Sequence, residues 1–222
     1  MNRRVRMMPR RRPTVFDAIY AVAFATVFLT LPSPPAAAQT TDARFAVAGQ
    51  LAGATSSEFD GTDLGFGGLL IWHPAGARFL AADAEMNVYP SRLAVRNAPP
   101  YSRRRLETLL GVTAGPTFGR TRPFAKFRPG FVWMERAPGL VACPAIYPPI
   151  LSCTLAQGKM VLATDVGGGV EFSSTDRTIF RVDLGDRMMA YPGPAIDAKG
   201  HAHISTFYEH ELRFSVGAGI RF

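Results

Sequence analysis

Long hydrophobic runs are almost absent from this chain of 222 residues. The one apolar run, Ala18–Leu31, has fourteen residues, fewer than the about 20 that a membrane-spanning helix needs. Because no second long run exists, nothing else in the chain predicts a transmembrane helix. Cysteine is also scarce, and its two residues have no histidine nearby, which leaves them short of a zinc site.

The first 38 residues have the pattern of a cleaved signal peptide. Six arginines lie within residues 1–12, the apolar run follows, and prolines then lead to Ala36-Ala37-Ala38. A basic region, a short apolar region and small residues before a cleavage site are typical of secretory signals. We expect cleavage between Ala38 and Gln39, which leaves one domain, residues 39–222. The alternative is an uncleaved anchor, which the short apolar run disfavours.

The signal also accounts for most of the positive charge. Residues 1–38 carry six arginines and one aspartate, a net charge of +5, so +3 of the formal +8 remains on the mature chain. The basic excess is therefore a targeting feature, and we expect no nucleic-acid partner.

The mature chain predicts an all-β fold of eight strands. Apolar and polar residues alternate along most of them, which puts the two kinds on opposite faces. At about 11–15 residues each, the strands are longer than usual and long enough to cross a bilayer when tilted. The predicted strands are Arg44–Ala54, Asp63–His73, Arg78–Tyr89, Leu106–Phe118, Pro123–Glu135, Lys159–Ser173, Arg177–Ala190 and His210–Phe222.

The connections between these strands alternate in length. Pro74–Ala77, Gly119–Arg122 and Ser174–Asp176 are tight, whereas residues 90–105, 136–158 and 191–209 are long. Short turns at one rim and long loops at the other are typical of an antiparallel up-and-down transmembrane β-barrel. The fold prediction is therefore an eight-stranded barrel with both termini in the periplasm.

One face of the predicted strands carries charges of both signs. Eight strands leave an interior just wide enough for side chains, so we expect these groups to neutralise each other and plug the lumen. A charged conduit or catalytic carboxylates are the alternatives. The predicted lumen network comprises Asp83, Glu85, Lys126, Arg128, Asp165, Glu171, Arg181, Asp183, Arg213 and Arg221, with Arg187 and Glu211 on the same face.

Two further patterns concern the strands. Many glycines fall inside them, where they relieve curvature and make room for long lumen side chains. Asp186 falls on the predicted lipid face, which requires either a position near the rim or a bulge at Gly185.

The chain resembles the small bacterial outer-membrane β-barrels of the outer membrane protein A transmembrane domain and outer membrane protein X. The resemblance covers residues 44–222, and the segments that carry it are Gly65–Gly68, Asp83–Glu85, Ala125–Gly130, Asp165–Phe172, Arg181–Asp186 and the terminal Arg221-Phe222. It implies a location in the outer membrane, among its lipid and lipopolysaccharide. It also implies that the last strand is the signal for the barrel-assembly machinery, carried by Phe214, Val216, Ala218, Ile220 and Phe222.

Cys143 and Cys153 both fall in the loop at residues 136–158. An exported chain meets an oxidising compartment, so we expect a disulfide that closes this loop. A metal-binding thiol pair is the alternative.

His201, His203 and Ser205 form a His-x-His-x-Ser pattern, with Glu209 and Glu211 close behind, and His203 and Ser205 with either glutamate are the candidate catalytic residues. A barrel-shaped lipid A deacylase uses such a pair for ester hydrolysis, with serine as nucleophile and histidine as base. A polar loop in which the residues are neighbours by chance is the competing interpretation, and the two-residue motif is weak.

Three functional hypotheses follow. The first is a non-enzymatic barrel with a plugged, charged lumen and a structural or surface-interaction role for its external loops, whose ligand the sequence does not name. The second is the deacylase, and the third is a narrow porin, against which the filled lumen argues. None of the motifs predicts a cofactor or a metal.

Overall fold

Ten β-strands and one short helix form in the part of the chain that the structure, a computed structural model, describes: residues 44–56, 58, 61–77, 79–90, 104–137 and 143–222. The predicted signal peptide lies outside these residues. The strands are β1 (Phe45–Ser56), β2 (Thr62–Trp72), β3 (Leu80–Tyr89), β4 (Arg105–Ala114), β5 (Thr121–Met134), β6 (Met160–Ser173), β7 (Thr178–Tyr191), β8 (Ala195–Ile196), β9 (Ala202–His203) and β10 (Phe207–Arg221), and the helix is α1 (Leu151–Ala156).

Eight of the strands close into a barrel in the order β1-β10-β7-β6-β5-β4-β3-β2. Each pair of neighbours is antiparallel, including β1 with β10, which joins the two ends of the sheet. Phe45 and Phe222 exchange backbone hydrogen bonds of 3.0 and 2.8 Å at this seam. The predicted eight-stranded antiparallel barrel is confirmed.

The barrel has two distinct ends. Short turns join β2 to β3, β4 to β5 and β6 to β7 at one end, where β1 also begins and β10 also ends. We call this the turn end. Longer connections at residues 90–104, 135–159 and 192–206, with the shorter 57–61, lie at the other end, the loop end.

The outer surface of the barrel is an apolar belt. Outward positions of β10 run Leu212, Phe214, Val216, Ala218, Ile220 and Phe222, all exposed, while the residues between them face inwards. Ten steps of about 3.3 Å along a strand tilted by about 40° span roughly 25 Å. This height equals the apolar band of about 25 Å on outer-membrane barrels.

Aromatic side chains mark both edges of the belt. Phe45 and Phe222 stack at the turn end with ring centroids 6.4 Å apart, and Trp72 is exposed beside them. Trp133 and Tyr208 are exposed near the loop end. Aromatic girdles at the two membrane interfaces are typical of such barrels.

Asp186 lies on the outer face, at the loop-end edge of the belt. The register of β7 against β10 runs without a break from Leu184 to Arg187, so no bulge is present at Gly185. The carboxylate of Asp186 instead lies 2.6 Å from His210 Nδ1 on the neighbouring strand. Of the two predicted explanations, the structure therefore excludes the bulge.

Some element boundaries differ from the predicted ones. β4 ends at Ala114 instead of Phe118, since Gly115 passes close to the backbone of Pro123 and the next residue is Pro116, which has no N–H. β10 begins at Phe207 instead of His210, because Phe207 is buried against Tyr191 with ring centroids 5.7 Å apart.

The long loops contain structure that the sequence did not predict. β8 and β9 form a two-stranded hairpin between β7 and β10, and α1 lies between β5 and β6. No helix within the described residues is long and apolar enough to cross a membrane.

Gly111 tests how tightly the lumen is packed against the wall. A methyl group on Gly111 would meet the carbonyl oxygen of Phe127 and the backbone of Arg128, whereas one on Gly49 would meet nothing within 4 Å. We predict that Gly111→Ala destabilises the barrel by about 1–3 kcal/mol, the usual cost of overpacking. Urea unfolding of the refolded barrel in lipid vesicles measures the change, with Gly49→Ala as the matched control. Equal stabilities of the two variants would contradict the prediction.

Candidate functional site

The lumen of the barrel contains a set of ionised side chains, eight acids and eight bases, all buried except for the partly exposed Arg221. Within this set of sixteen residues, the two signs therefore cancel. The acids are Asp63, Asp83, Glu85, Glu107, Asp165, Glu171, Asp183 and Glu211, and the bases are Arg105, Arg122, Lys126, Arg128, Arg181, Arg187, Arg213 and Arg221.

Two cations of β5 occupy the middle of this lumen network. The guanidinium of Arg128 lies 2.7 Å from Asp83 and 2.8 Å from Glu85, two carboxylates that alternate along β3. The ammonium of Lys126 lies 2.6 Å from Asp183 and 2.8 Å from Asp165, on β7 and β6. Each cation thus contacts two carboxylates, as buried charges require if they are to remain ionised.

Arg213 of β10 connects the middle of the network to its loop-end part. Its guanidinium pairs with Glu85 and lies 3.1 Å from Asp165, and its Nε donates to Glu107 at 3.2 Å. These carboxylates come from β3, β6 and β4, so one side chain bridges opposite walls of the barrel.

Arg187 and Arg105 continue the chain of ion pairs towards the loop end. Arg187 pairs with both Glu107 and Glu211. Arg105 then lies 3.4 Å from Glu211 and 2.5 Å from Asp63. The contacts therefore form one connected path from Asp63 to the centre of the lumen.

Two amides extend the network between the charges. Gln50 Nε2 donates to Glu85 at 2.6 Å and to Asn87 at 2.8 Å, and Asn87 Nδ2 donates to Glu107 at 2.9 Å. Hydrogen bonds from neutral donors use carboxylate lone pairs that the cations leave open.

All ten residues of the network predicted from the sequence lie on the lumen face. The sequence analysis missed four more charged residues with lumen contacts, Asp63, Arg105, Glu107 and Arg122. The alternation of residues could have identified three of them. Asp63 precedes the exposed Leu64, and Arg105 and Glu107 are the neighbours of Leu106, which is on the opposite face of β4.

Glycines of the lumen wall leave room for the large inward side chains. A methyl group on Gly65 would lie 2.6 Å from the ring of Tyr89. One on Gly185 would overlap the carboxylate of Asp165 and lie 2.9 Å from Lys126 Cε. At Gly65 and Gly185, a side chain on the wall would therefore overlap the long side chain that occupies the lumen.

The loops form a structured cap at the loop end. Cys143 and Cys153 are joined by the predicted disulfide, which ties the loop after β5 to α1. Ile196 of β8 bridges to Ile150, and its N–H donates to the carbonyl oxygen of Pro149 at 2.9 Å. The loop that follows β5 and the loop that follows β7 are therefore hydrogen-bonded to each other.

An apolar cluster fills the space beneath this cap. It combines lumen-facing residues of β4 to β7 with α1, β8 and the first residue of β10. Its members are Leu109, Val132, Met134, Leu151, Leu155, Val161, Ala163, Met189, Tyr191, Ala195 and Phe207.

The proposed hydrolase residues also lie in the cap. Nε2 of His203 lies 3.1 Å from Asp197, and its ring stacks on Phe207 with centroids 4.0 Å apart. Glu209 lies 3.7 Å from Lys199. No hydrogen bond joins His203 to Ser205 in the described part of the chain, so the hydrolase hypothesis has no assembled nucleophile and base to support it.

Asp197 organises this part of the cap. Its carboxylate accepts from the side chains of His201 and His203, and from the N–H groups of Lys199 and His201 at 2.9 and 2.8 Å. Burial opposes ionisation, but these hydrogen bonds hold the pKa of Asp197 below its usual range. Within the described residues, no group of three or more His, Cys, Asp or Glu side chains is arranged to hold a metal ion.

Glu58 links the connection between β1 and β2 to the same cap. Its carboxylate is fully buried and accepts the N–H of Ala198 at 2.9 Å. Burial raises the pKa of Glu58, because the buried carboxylate is less well solvated than an exposed one.

A closed eight-stranded barrel with an apolar exterior and a charged interior is the architecture of small outer-membrane β-barrels. No protein-family model matches the chain, and neither does any curated protein sequence. Solved structures do match. The outer membrane protein OprG from Pseudomonas aeruginosa has a TM-score of 0.50 and 12% identity, over 81% of this chain and 96% of that chain.

Two other solved structures resemble the chain at similar levels. Neisserial surface protein A has a TM-score of 0.49 and 14% identity, over 80% of this chain and 97% of that chain. Ail, the attachment invasion locus protein of Yersinia pestis, has a TM-score of 0.49 and 10% identity, over 81% and 99%. At such identities, the match to OprG shows a common fold and nothing about activity.

Arg128 is the sharpest test of the network. We predict that Arg128→Ala destabilises the barrel by about 3–5 kcal/mol, because Asp83 and Glu85 lose a buried partner. Urea unfolding monitored by the fluorescence of Trp72 and Trp133 measures the difference. The matched control is Arg120→Ala, since the side chain of this exposed arginine donates one hydrogen bond within the described residues, of 3.1 Å, to the carbonyl oxygen of Ser174. If both variants unfold at the wild-type urea concentration, the charges do not stabilise the barrel.

Proposed function

We propose that the protein is an integral outer-membrane β-barrel whose lumen is closed to solutes and whose loop-end cap contacts molecules outside the cell. The observation that carries the proposal is the lumen network, in which Arg128, Arg187 and Arg213 are fully buried and bridge the walls of the barrel. A solute would have to separate these ion pairs to pass, and breaking one buried pair costs about 3–5 kcal/mol.

The outer surface supports the membrane location. The apolar belt has the height of a bilayer core, and aromatic residues mark its edges. The fold resembles that of OprG, which is an outer membrane protein, and this likeness supports the same location. We therefore propose that residues 1–38 are an export signal that is removed before Gln39.

The orientation follows from the loops. Export delivers the N-terminus to the periplasm, so the turn end faces the periplasm and the loop end faces outwards. The outward Asp186–His210 pair then lies at the level of the lipid head groups, where lipopolysaccharide supplies polar partners.

The cap supports a role in surface contact. Its exposed apolar side chains include Tyr147 and Ile204, which are 78% and 70% exposed, and Ile146. The disulfide and the bridge between Ile150 and Ile196 hold the cap in a defined shape. A rigid surface with exposed aromatic and aliphatic groups loses little entropy when it binds a partner.

The closed lumen is tested by electrical recording. We predict that the purified mature protein, inserted into a planar bilayer, produces no stable conductance steps. Insertion is verified by resistance to SDS at room temperature and a mobility shift after boiling, and mass spectrometry should place the N-terminus at Gln39. Boiled protein serves as the control. Large, regular steps from the folded form would overturn the closed lumen and favour a porin.

A separate prediction concerns the role of the last strand in assembly. We propose that its outward row, Phe214, Val216, Ala218, Ile220 and Phe222, is the signal for the barrel-assembly machinery. Phe222 and Phe66 are matched in exposure, at 49% and 48%, so their replacement by alanine should cost similar packing energy, at most about 1.5–3 kcal/mol. Phe222→Ala should nevertheless leave chain in the periplasm, whereas Phe66→Ala should assemble. Cell fractionation measures both. Equal defects would mean that Phe222 acts through packing alone.

A further inference from the structure

The turn end of the lumen carries a charge cluster that differs from the rest of the network. Arg122, Glu171 and Arg181 face the lumen side by side, because Glu171 of β6 is opposite Arg122 of β5 and opposite Arg181 of β7. Arg221, the last residue of β10, reaches the same carboxylate at 2.6 Å. We call these four residues the turn-end cluster.

This cluster has three cations for one anion, although the lumen network as a whole is balanced. Arg181 is shared with the middle of the network, since it lies 3.1 Å from Asp83 and 3.2 Å from Asp183. Among the described residues, Arg122 makes no ion pair within 4.0 Å, and Arg221 pairs only with Glu171. Positive charge is therefore in excess at this mouth.

Several polar atoms of the cluster are buried without a partner. Among the described residues, Nε of Arg122, Nη1 of Arg181 and Nε of Arg221 donate to no acceptor, and Oε2 of Glu171 accepts from no donor. The side chains of Arg122, Glu171 and Arg181 are 5%, 2% and 2% exposed. An unsatisfied buried polar group costs about 1–3 kcal/mol, so a ligand that satisfied these four atoms would be stabilised by the cluster.

The remaining atoms of the three arginines are already fixed. Arg122 donates through its terminal nitrogens to Thr113 Oγ1 at 3.4 Å, and the guanidinium of Arg181 lies over the ring of Phe124, 4.1 Å from its centroid. Fixed donors lose little conformational entropy when they bind a ligand, which favours recognition of a small anion.

The open positions specify the ligand. Three cationic N–H donors favour an anion with several acceptor oxygens, and the free oxygen of Glu171 favours an anion that also donates one hydrogen. Hydrogenphosphate has both functions, whereas sulfate at neutral pH carries no hydrogen. We propose that the turn-end mouth binds one inorganic hydrogenphosphate ion, held by Arg122, Arg181 and Arg221 and selected by Glu171.

His73 lies at the edge of this site, directly after β2. Burial lowers the pKa of His73; Glu171 opposes this shift, and the nearby arginines add to it. Its Nδ1 has no partner within the described residues either. Arg221 is 22% exposed and His73 is only partly buried, so the cluster reaches the surface at this mouth.

Calorimetric titration of the folded mature barrel tests the proposal, in detergent micelles free of phosphate and sulfate, at a pH of about 7.5. Inorganic phosphate should bind in one equivalent, and sulfate about ten- to hundredfold more weakly, since it would leave Glu171 without a donor. A phosphomonoester loses its last proton near pH 6, so methyl phosphate, which then has no O–H group, should bind as weakly as sulfate. Tight binding of methyl phosphate would show that the site does not select the hydrogen and would overturn the proposal.

Three variants complete the experiment. Arg122→Gln should weaken phosphate about tenfold or more, whereas Arg120→Gln, at the neighbouring turn, should leave it unchanged. Glu171→Gln should bring phosphate and sulfate to nearly equal affinity, because its amide can donate to either ion. Gel mobility before and after boiling verifies folding of each variant. Absence of phosphate binding, equal wild-type affinities for phosphate and sulfate, or an unchanged preference in folded Glu171→Gln would each overturn the proposal.

Discussion

Closure of eight strands into a ring sets the conditions for everything else in this molecule. The ring satisfies every strand edge, but its interior is just wide enough for side chains, and many of its inward residues are charged. Charged side chains must therefore neutralise each other across the lumen. Arg213 is an example, because its guanidinium contacts carboxylates on β3, β4 and β6. The same closure turns the opposite face of every strand outwards, which produces the belt.

The small volume inside the barrel is a second constraint, and it follows from the closure of only eight strands. A guanidinium or a phenol can occupy so small an interior only where the facing wall carries no side chain. Gly111 beside Arg128, Gly185 beside Asp165 and Gly65 beside Tyr89 show this pairing of a large residue with an absent one. Glycines that would weaken an ordinary sheet are therefore required here for the charges to fit.

The sequence alone predicted the strands and their faces because both depend on period-2 alternation, which is local. It predicted neither the partners nor the cap. Glu107 and Arg213 are separated by 106 residues, and only closure of the ring brings them together. The hairpin of Ala195–Ile196 with Ala202–His203 has two residues on each side and depends on Ile150 from another loop. Asp186 departs from the alternation of apolar and polar residues, and the sequence could not show that His210 of the neighbouring strand lies beside it.

The seam between the first and last strands constrains how the protein reaches its folded state. Phe45 bonds to Phe222, so the ring cannot form until β10 is available, and the preceding strands have an unpaired edge until then. Contacts between such distant residues make for slow folding, and exposed apolar strands aggregate. A chain with this topology therefore has to keep its apolar strands from associating with other chains until its last strand is present.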